Sequence, residues 1–202
     1  DDAGLTSSAT SSLKTLMGKA TFDTPKPVEL IDRMLRMITF SDEESIVLDF
    51  FSGSATTAHA AMKYNAETDG HRKYILVQLK EPTNEKSEAY ANGYRDICEI
   101  GKERIRRAGK KIKEEAGLMG QNLDTGFRVL KLDESNMADV YYTPADTPIQ
   151  TTLAFDALVD NIREGRTAED LLFQVLPECN LPLSSKIETR EIHGKKVFVV
   201  ED

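Results

Sequence analysis

The chain has 202 residues, 40% of them hydrophobic, with 26 Lys and Arg against 34 Asp and Glu and a formal net charge of −8. That length allows one domain, or a domain with an appendage, and the hydrophobic share is enough for a buried core. The acidic balance excludes a nucleic-acid footprint over the whole surface, two cysteines exclude a disulfide framework, and no apolar run reaches the roughly 20 residues of a membrane helix.

Residues 1–20 are rich in Ser, Thr and Gly and read as a lead-in to the folded part. Two prolines stiffen Phe22-Asp23-Thr24-Pro25-Lys26-Pro27, and Pro27 suits the start of a helix, where a missing N–H is harmless. Val28, Ile31, Leu35 and Ile38 then fall on one helical face. Residues 45–51 (Ser-Ile-Val-Leu-Asp-Phe-Phe) form a continuous apolar run broken by one carboxylate, which predicts a strand buried on both faces. A small-residue turn, Ser52-Gly53-Ser54-Ala55, leads into a predicted helix over 56–65. A second strand is expected over 72–79, so residues 45–79 make a β-α-β unit with a parallel sheet and a right-handed crossover.

Residues 87–116 read as a long helix whose stripe is Ile97, Ile100, Ile105, Ala108 and Ile112, ended by Gly117 and Gly120. Alternation over Gly126–Leu132 predicts a third strand. A Pro/Thr linker follows at 143–148, then two short helices near 151–163 and 168–176. A hairpin is expected from Lys186–Ile192 and Lys195–Val200, turning at His193-Gly194. From residue 121 onward there are 8 basic and 15 acidic residues, which suits a small α+β appendage better than a DNA-binding face. The expected organisation is a lead-in at 1–20, a main domain at 21–142 and an appendage at 143–202.

The chemistry concentrates in Asp49-Phe50-Phe51-Ser52-Gly53-Ser54-Ala55-Thr56-Thr57. Small residues let backbone approach a ligand closely, and the following helix start offers free N–H groups and partial positive charge. Asp49 ends its strand at the mouth of the sheet, where open α/β folds bind ligands. One glycine does not make a dinucleotide fingerprint, and no Gly-Lys-Ser/Thr occurs. An acidic residue beside aromatics suits S-adenosylmethionine better, because a carboxylate can hold its cationic ammonium; an ordinary β-α turn remains the plain alternative.

The order and spacing of three segments narrow the choice. Phe22–Pro27 precedes Asp49–Thr57, and Arg72-Lys73-Tyr74-Ile75-Leu76-Val77-Gln78-Leu79-Lys80-Glu81 follows. Together they resemble the Mod subunit of Type III restriction-modification systems, a β-group DNA adenine-N6 methyltransferase. Gly93–Ile97, Glu103–Ala108, Gly126–Leu132 and Asp170–Phe173 resemble that family's C-terminal third, so the likeness runs from about residue 20 to the end.

The resemblance implies a partial Rossmann-like, S-adenosylmethionine-dependent methyltransferase sheet of the α/β class, with a C-terminal α+β appendage. It places Pro25, Lys26 and Pro27 along the methionine end of S-adenosylmethionine, with Lys26 facing the carboxylate. It places Asp49, Phe50, Phe51, Gly53 and Ser54 in the cofactor loop, and Thr56 and Thr57 at the cap of the next helix. Gln78, or Glu81 three residues on, takes the position that holds the ribose hydroxyls. Family patterns usually have Gly where this chain has Ala55. The implied partners are double-stranded DNA, a restriction (Res) subunit and a second copy of the chain, in the cytoplasm and without a membrane.

No catalytic residue is assigned. Seven prolines occur, none adjacent, so the Asp-Pro-Pro-Tyr tetrapeptide of the family is missing, and the chain is expected to be a C-terminal fragment of a longer enzyme. Two other classes stay in view: a nucleotide-dependent oxidoreductase, and a non-catalytic interaction module docking a restriction subunit. His59, His71 and His193 lack metal-ligand spacing and are expected to pack or lie on the surface; Cys98 is expected in the core. Residues 102–115 carry 7 basic and 3 acidic residues, either a solvated helix face or a contact for DNA phosphates.

Overall fold

Two units make up the chain in its computed structural model, which describes residues 5–138 and 161–201. The division falls at Arg128–Val129, ahead of the expected boundary at 142, which itself lies outside the described residues.

In the first unit, β1 (Ile46–Asp49) and β2 (Lys73–Leu76) pair in parallel, from Ile46 opposite Lys73 to Asp49 opposite Leu76. The crossover is α3 (Thr56–Thr68), as the spacing predicts. Three fully buried alanines, Ala58, Ala60 and Ala61, let other elements close on α3 from two sides. On one side α2 (Val28–Ile38) sets Leu35 against Ala60, Ala61 and Tyr64. On the other, α5 (Ile97–Ala116) sets Ile105, Ala108 and Ile112 against Ala58 and Met62.

A buried arginine ties these layers at their far end. The Arg72 guanidinium donates to Thr39 Oγ1 and the Thr39 carbonyl, each at 2.8 Å, and lies 4.1 Å over the Tyr64 ring. Asn65 brackets the Arg72 backbone, donating to its carbonyl (2.9 Å) and accepting from its N–H (3.1 Å). The chain therefore leaves α3 and enters β2 in a fixed direction.

The expected lead-in is instead a helix, α1 (Thr6–Met17), closed by Gly18 at φ 76°. Ser and Thr are weak helix formers, but Ala9, Leu13 and Met17 recur every four residues, and the buried stripe outweighs propensity. Leu13 and Met17 pack with Ala89 and Ile100. The long helix expected over 87–116 is two: α4 (Glu88–Ala91), then a break through Gly93 at φ 92°, then α5. Asp96 starts α5 by accepting the Glu99 N–H at 2.9 Å.

Two further expectations are corrected. Gly126–Leu132 is not a strand: it alternates but meets no partner strand among the described residues, and Leu132 is fully exposed. Nor is β1 buried on both faces. Val47 and Tyr74 face the helices, whereas Ile46, Leu48 and Ile75 are 64%, 57% and 51% exposed. All the described helices packed on this sheet lie on its other face. Among the described residues β1 also has only one strand neighbour, β2.

The second unit contains α6 (Ala168–Glu178), started by a reciprocal Thr167–Asp170 capping box. A hairpin follows, β3 (Lys186–Ile192) with β4 (Lys195–Glu201), antiparallel from Lys186–Glu201 to Ile192–Lys195. His193 (φ 51°) and Gly194 (φ 75°) turn it, the doubly left-handed geometry that two-residue hairpins favour. The helix expected at 168–176 and the hairpin are thus present. The linker at 143–148 and most of the helix at 151–163 lie outside the described residues; at its end Ile162 forms an isolated bridge with Met137. The chain is therefore mixed α/β, with two small two-stranded sheets among the described residues.

Candidate functional site

The site is built where β1 runs out. Beyond Asp49 the two strands stay in register for one more step: Val77 N–H donates to the Asp49 carbonyl (2.8 Å) and Ser52 N–H to the Val77 carbonyl (3.3 Å). The chain then folds sharply back. Ala55 N–H donates to the Ser52 carbonyl at 2.7 Å, and Gly53 takes φ 50°. Ala55 itself sits at φ 60° and ψ 42°, the left-handed region, as the residue that opens α3.

Asp49 is half-buried and braces this turn from below. Its Oδ1 accepts the Phe51 N–H (3.2 Å) and its Oδ2 the Thr57 hydroxyl (2.6 Å). A carboxylate has about four acceptor positions, so capacity remains for a cation. Phe50 and Phe51 stand exposed beside it, rings 5.5 Å apart and tilted by 59°. Ser54, Thr56 and Thr57 are buried, so they shape the turn from inside.

The Pro25-Lys26-Pro27 segment meets the turn directly. The Thr56 hydroxyl donates to the Lys26 carbonyl at 3.4 Å. The Phe22 ring lies against Gly53, where an added Cβ would meet its Cζ at 3.4 Å. Pro25 and Pro27 are buried and the Lys26 side chain is exposed. Pro27 is the N-cap of α2, one position before the first turn. Two segments that are 22 residues apart in sequence (Pro27 to Asp49) thus form one surface.

Gln78 is committed to the same turn. Its Oε1 accepts the Gly53 N–H at 2.8 Å and its Nε2 donates to the Leu79 carbonyl at 3.2 Å. Glu81 is exposed, and its carboxylate has no protein partner among the described residues. The structure therefore gathers Lys26, Asp49, Gly53, Thr56, Thr57 and Gln78 into one network and leaves Glu81 outside it.

Sequence reasoning missed the brace behind the turn. Gly101 on α5 faces it; a Cβ there would lie 3.4 Å from the Gly53 carbonyl and 3.5 Å from Ala55 Cβ. One turn on, buried Arg104 donates from Nη1 to Thr56 Oγ1 (2.7 Å), Ser54 Oγ (2.8 Å) and the Ser54 carbonyl (3.3 Å). Burial pushes its guanidinium down to about 10, still charged at neutral pH. The signal was its place: Arg104 falls among Ile100, Ile105 and Ala108, on the buried stripe. Four of the other six cations of this basic helix lean on its own acids: Arg106 and Arg107 on Glu103, Lys110 on Glu114, Lys111 on Glu115.

His59 packs in the same layer. Its Nδ1 is buried without a partner among the described residues, and desolvation, aided by Arg104, Lys111 and Lys63, pushes it down to about 3. The unfolded chain, near 6.5, binds this proton more readily. Stability is thus complete above about pH 6.5 and falls as the pH drops toward 3, with a slope approaching about 1.4 kcal/mol per pH unit. A proton NMR titration is expected to show a His59 C2 resonance that does not move down to pH 4; a midpoint near 6.5 contradicts the burial. Cys98, half-buried, sets Sγ 3.6 Å from the Gln78 and Leu79 carbonyls, and burial raises its thiol. Among the described residues no group of His, Cys, Asp and Glu could hold a metal ion, and no helix is long and apolar enough to cross a membrane.

A family model described as DNA methylase matches residues 4–109, which contain the whole site. The chain belongs to the DNA methylase family. It is 38% identical over 161 residues to the Type III restriction-modification enzyme EcoPI Mod subunit of Escherichia phage P1, covering 76% of this chain and 24% of that one. To the EcoP15I Mod subunit of Escherichia coli it is 36% identical over 160 residues, 75% and 23% of the two chains. The Type II methyltransferase M.KpnI of Klebsiella pneumoniae is 37% identical over 100 residues, 50% and 24%. The chain thus spans about a quarter of the length of the curated relatives it matches. The matched stretch of the family runs through α1, so the helix that replaced the expected lead-in lies within the family's domain.

Proposed function

We propose that this chain supplies the S-adenosylmethionine-binding part of a site-specific DNA adenine-N6 methyltransferase of a Type III restriction-modification system. The observation that carries the reading is the junction at the mouth of β1. There the Asp49 turn, the Pro25–Pro27 segment and the end of β2 converge through the Thr56–Lys26, Phe22–Gly53 and Gly53–Gln78 contacts. The donor set suits the cofactor: an acceptor for an ammonium, an exposed lysine for a carboxylate and two exposed aromatic faces.

In this reading Asp49 accepts from the methionine ammonium, and Lys26 meets the carboxylate. Phe50 and Phe51 line the site with apolar surface. Gln78, already engaged by Gly53, holds the turn, so Glu81 is the freer group for the ribose hydroxyls. The cofactor supplies an activated methyl group; the chain's own contribution is to orient that methyl toward its acceptor. The groups that would hold a flipped adenine are not assigned among these residues.

The same reading makes β1–β2 the middle of a larger, Rossmann-like parallel sheet. Parallel sheets are covered on both faces, and here, among the described residues, one face and both edges are bare. Double-stranded DNA, a restriction subunit and a second copy of the chain are the proposed partners, in the cytoplasm. Titration calorimetry tests the reading: S-adenosylmethionine is expected to bind and NAD not. Binding of NAD alone, or of neither, overturns it. Incubated by itself with labelled cofactor and mixed-sequence DNA, the chain is expected to leave the DNA unlabelled, since no Pro-Pro-aromatic motif is present. Stoichiometric N6-methyladenine would contradict this.

A further inference from the structure

We propose that Arg104 is a positioning residue that holds the candidate cofactor turn in shape, and that the need arises because Ala55, a residue with a side chain, occupies the left-handed conformation there. Ala55 is 2% exposed, at φ 60°, and opens the 13-residue helix α3. A left-handed conformation is uncomfortable for any residue with a Cβ and persists only where its surroundings impose it. Here both flanks are gripped by one side chain. Arg104 Nη1 reaches the carbonyl and hydroxyl of Ser54 on one side of Ala55 and the hydroxyl of Thr56 on the other.

The environment of Arg104 points the same way. It is 2% exposed; among the described residues no carboxylate pairs with it directly, Glu29 acting on it only at longer range, and its Nε is buried without a partner. A buried guanidinium without a direct ion pair is a poor device for stability, and here the more distant charge of Glu29 does not make up for its desolvation. It fits a role in geometry, since the rigid, planar guanidinium holds Nη1 in a fixed direction between Ser54 and Thr56. Gly101, one turn earlier, lets α5 approach closely enough for that reach. Thr56 passes the link on to the Lys26 carbonyl at 3.4 Å. One side chain therefore sets the turn, the start of α3 and the Pro25–Pro27 segment relative to one another. Where this concerns S-adenosylmethionine it rests on the function proposed above; the holding of the turn stands on the geometry alone.

The test is a double-mutant cycle on the full chain with Arg104→Gln and Ala55→Gly, read by amide hydrogen exchange and by calorimetry with S-adenosylmethionine. Arg104→Gln is expected to speed exchange at the Gly53 and Ala55 amides about 10-fold or more relative to amides of α2, and to weaken cofactor binding by a similar factor. In the Ala55→Gly background both costs are expected to shrink below about threefold, because glycine adopts the conformation unaided. A merely structural arginine would not be relieved by a glycine at residue 55. Unchanged exchange at Gly53 and Ala55 in Arg104→Gln, or an equal cost in both backgrounds, overturns the proposal. Should Arg104→Gln fail to fold, Arg104→Lys takes its place in the cycle: it keeps the charge but not the rigid planar group that aims Nη1, and the same Ala55→Gly relief is expected. If the parent chain does not bind S-adenosylmethionine, the functional reading falls and the exchange data still decide the role of Arg104.

Discussion

Asp49→Ala is expected to weaken S-adenosylmethionine binding by about 1.5–3 kcal/mol, about 10- to 150-fold, the value of a hydrogen bond to a charged group. The carboxylate stands at the mouth of the sheet with two protein donors, Phe51 N–H and the Thr57 hydroxyl, on its inner side. Asp49→Asn separates the two roles of the group. It keeps an acceptor for Thr57 and removes the charge, so nearly the whole loss of affinity is expected to remain. Glu81→Ala touches a residue outside the turn's network and is expected to cost less. Calorimetry on the three variants, with circular dichroism to confirm the fold, makes the comparison. Equal affinities for Asp49→Ala and Glu81→Ala would place the cofactor elsewhere.

The second large effect concerns the bare side of the sheet. Ile46, Leu48, Phe50, Ile75 and Val77 are exposed together along the face of β1 and β2 that their helices leave open, and β1 has a free edge among the described residues. A contiguous apolar face with unpaired N–H and C=O groups at its border invites another polypeptide. The chain on its own is therefore expected to self-associate as its concentration rises. Leu48→Lys with Ile75→Lys is expected to return it to a monomer without loss of helix content, since neither side chain is buried. Sedimentation velocity over a hundredfold range of concentration decides. A parent chain that stays monomeric throughout would mean that this face is tolerated bare, and would remove the argument for a covering partner.

Much of the site was legible because its logic is local. The run Ser45–Phe51, the small residues at 52–55 and the helix after them define a strand, a turn and a helix start by short-range chemistry alone, and all three are present. The helix at 28–38, the second strand and the C-terminal hairpin were legible for the same reason: periodicity, a proline at a helix start and a residue pair suited to a left-handed turn. Two readings that depended on what lies across space failed. Residues 6–17 have a composition unsuited to a helix, and only Ala89 and Ile100 make their stripe worth burying. Residues 126–132 alternate as a strand should, yet no strand among the described residues is there to pair with them.

Sequence by itself determined the chemistry on offer at the mouth of β1, because strand period, turn composition and helix capping act over a few residues, and it pointed to the methylase family through the order of three short segments. Tertiary structure decided how those groups are used. Gln78, a candidate for the ribose, has its amide oxygen taken up by the Gly53 N–H where the chain returns past it. Arg104 was one cation among seven on a basic helix; packing of α5 on α3 buries it behind Ala55 and leaves the others at the surface or leaning on acids of their own helix. Such assignments depend on which side chains a fold brings within about 3 Å of each other, a distance that hydrogen bonds require and that no spacing along a chain can state.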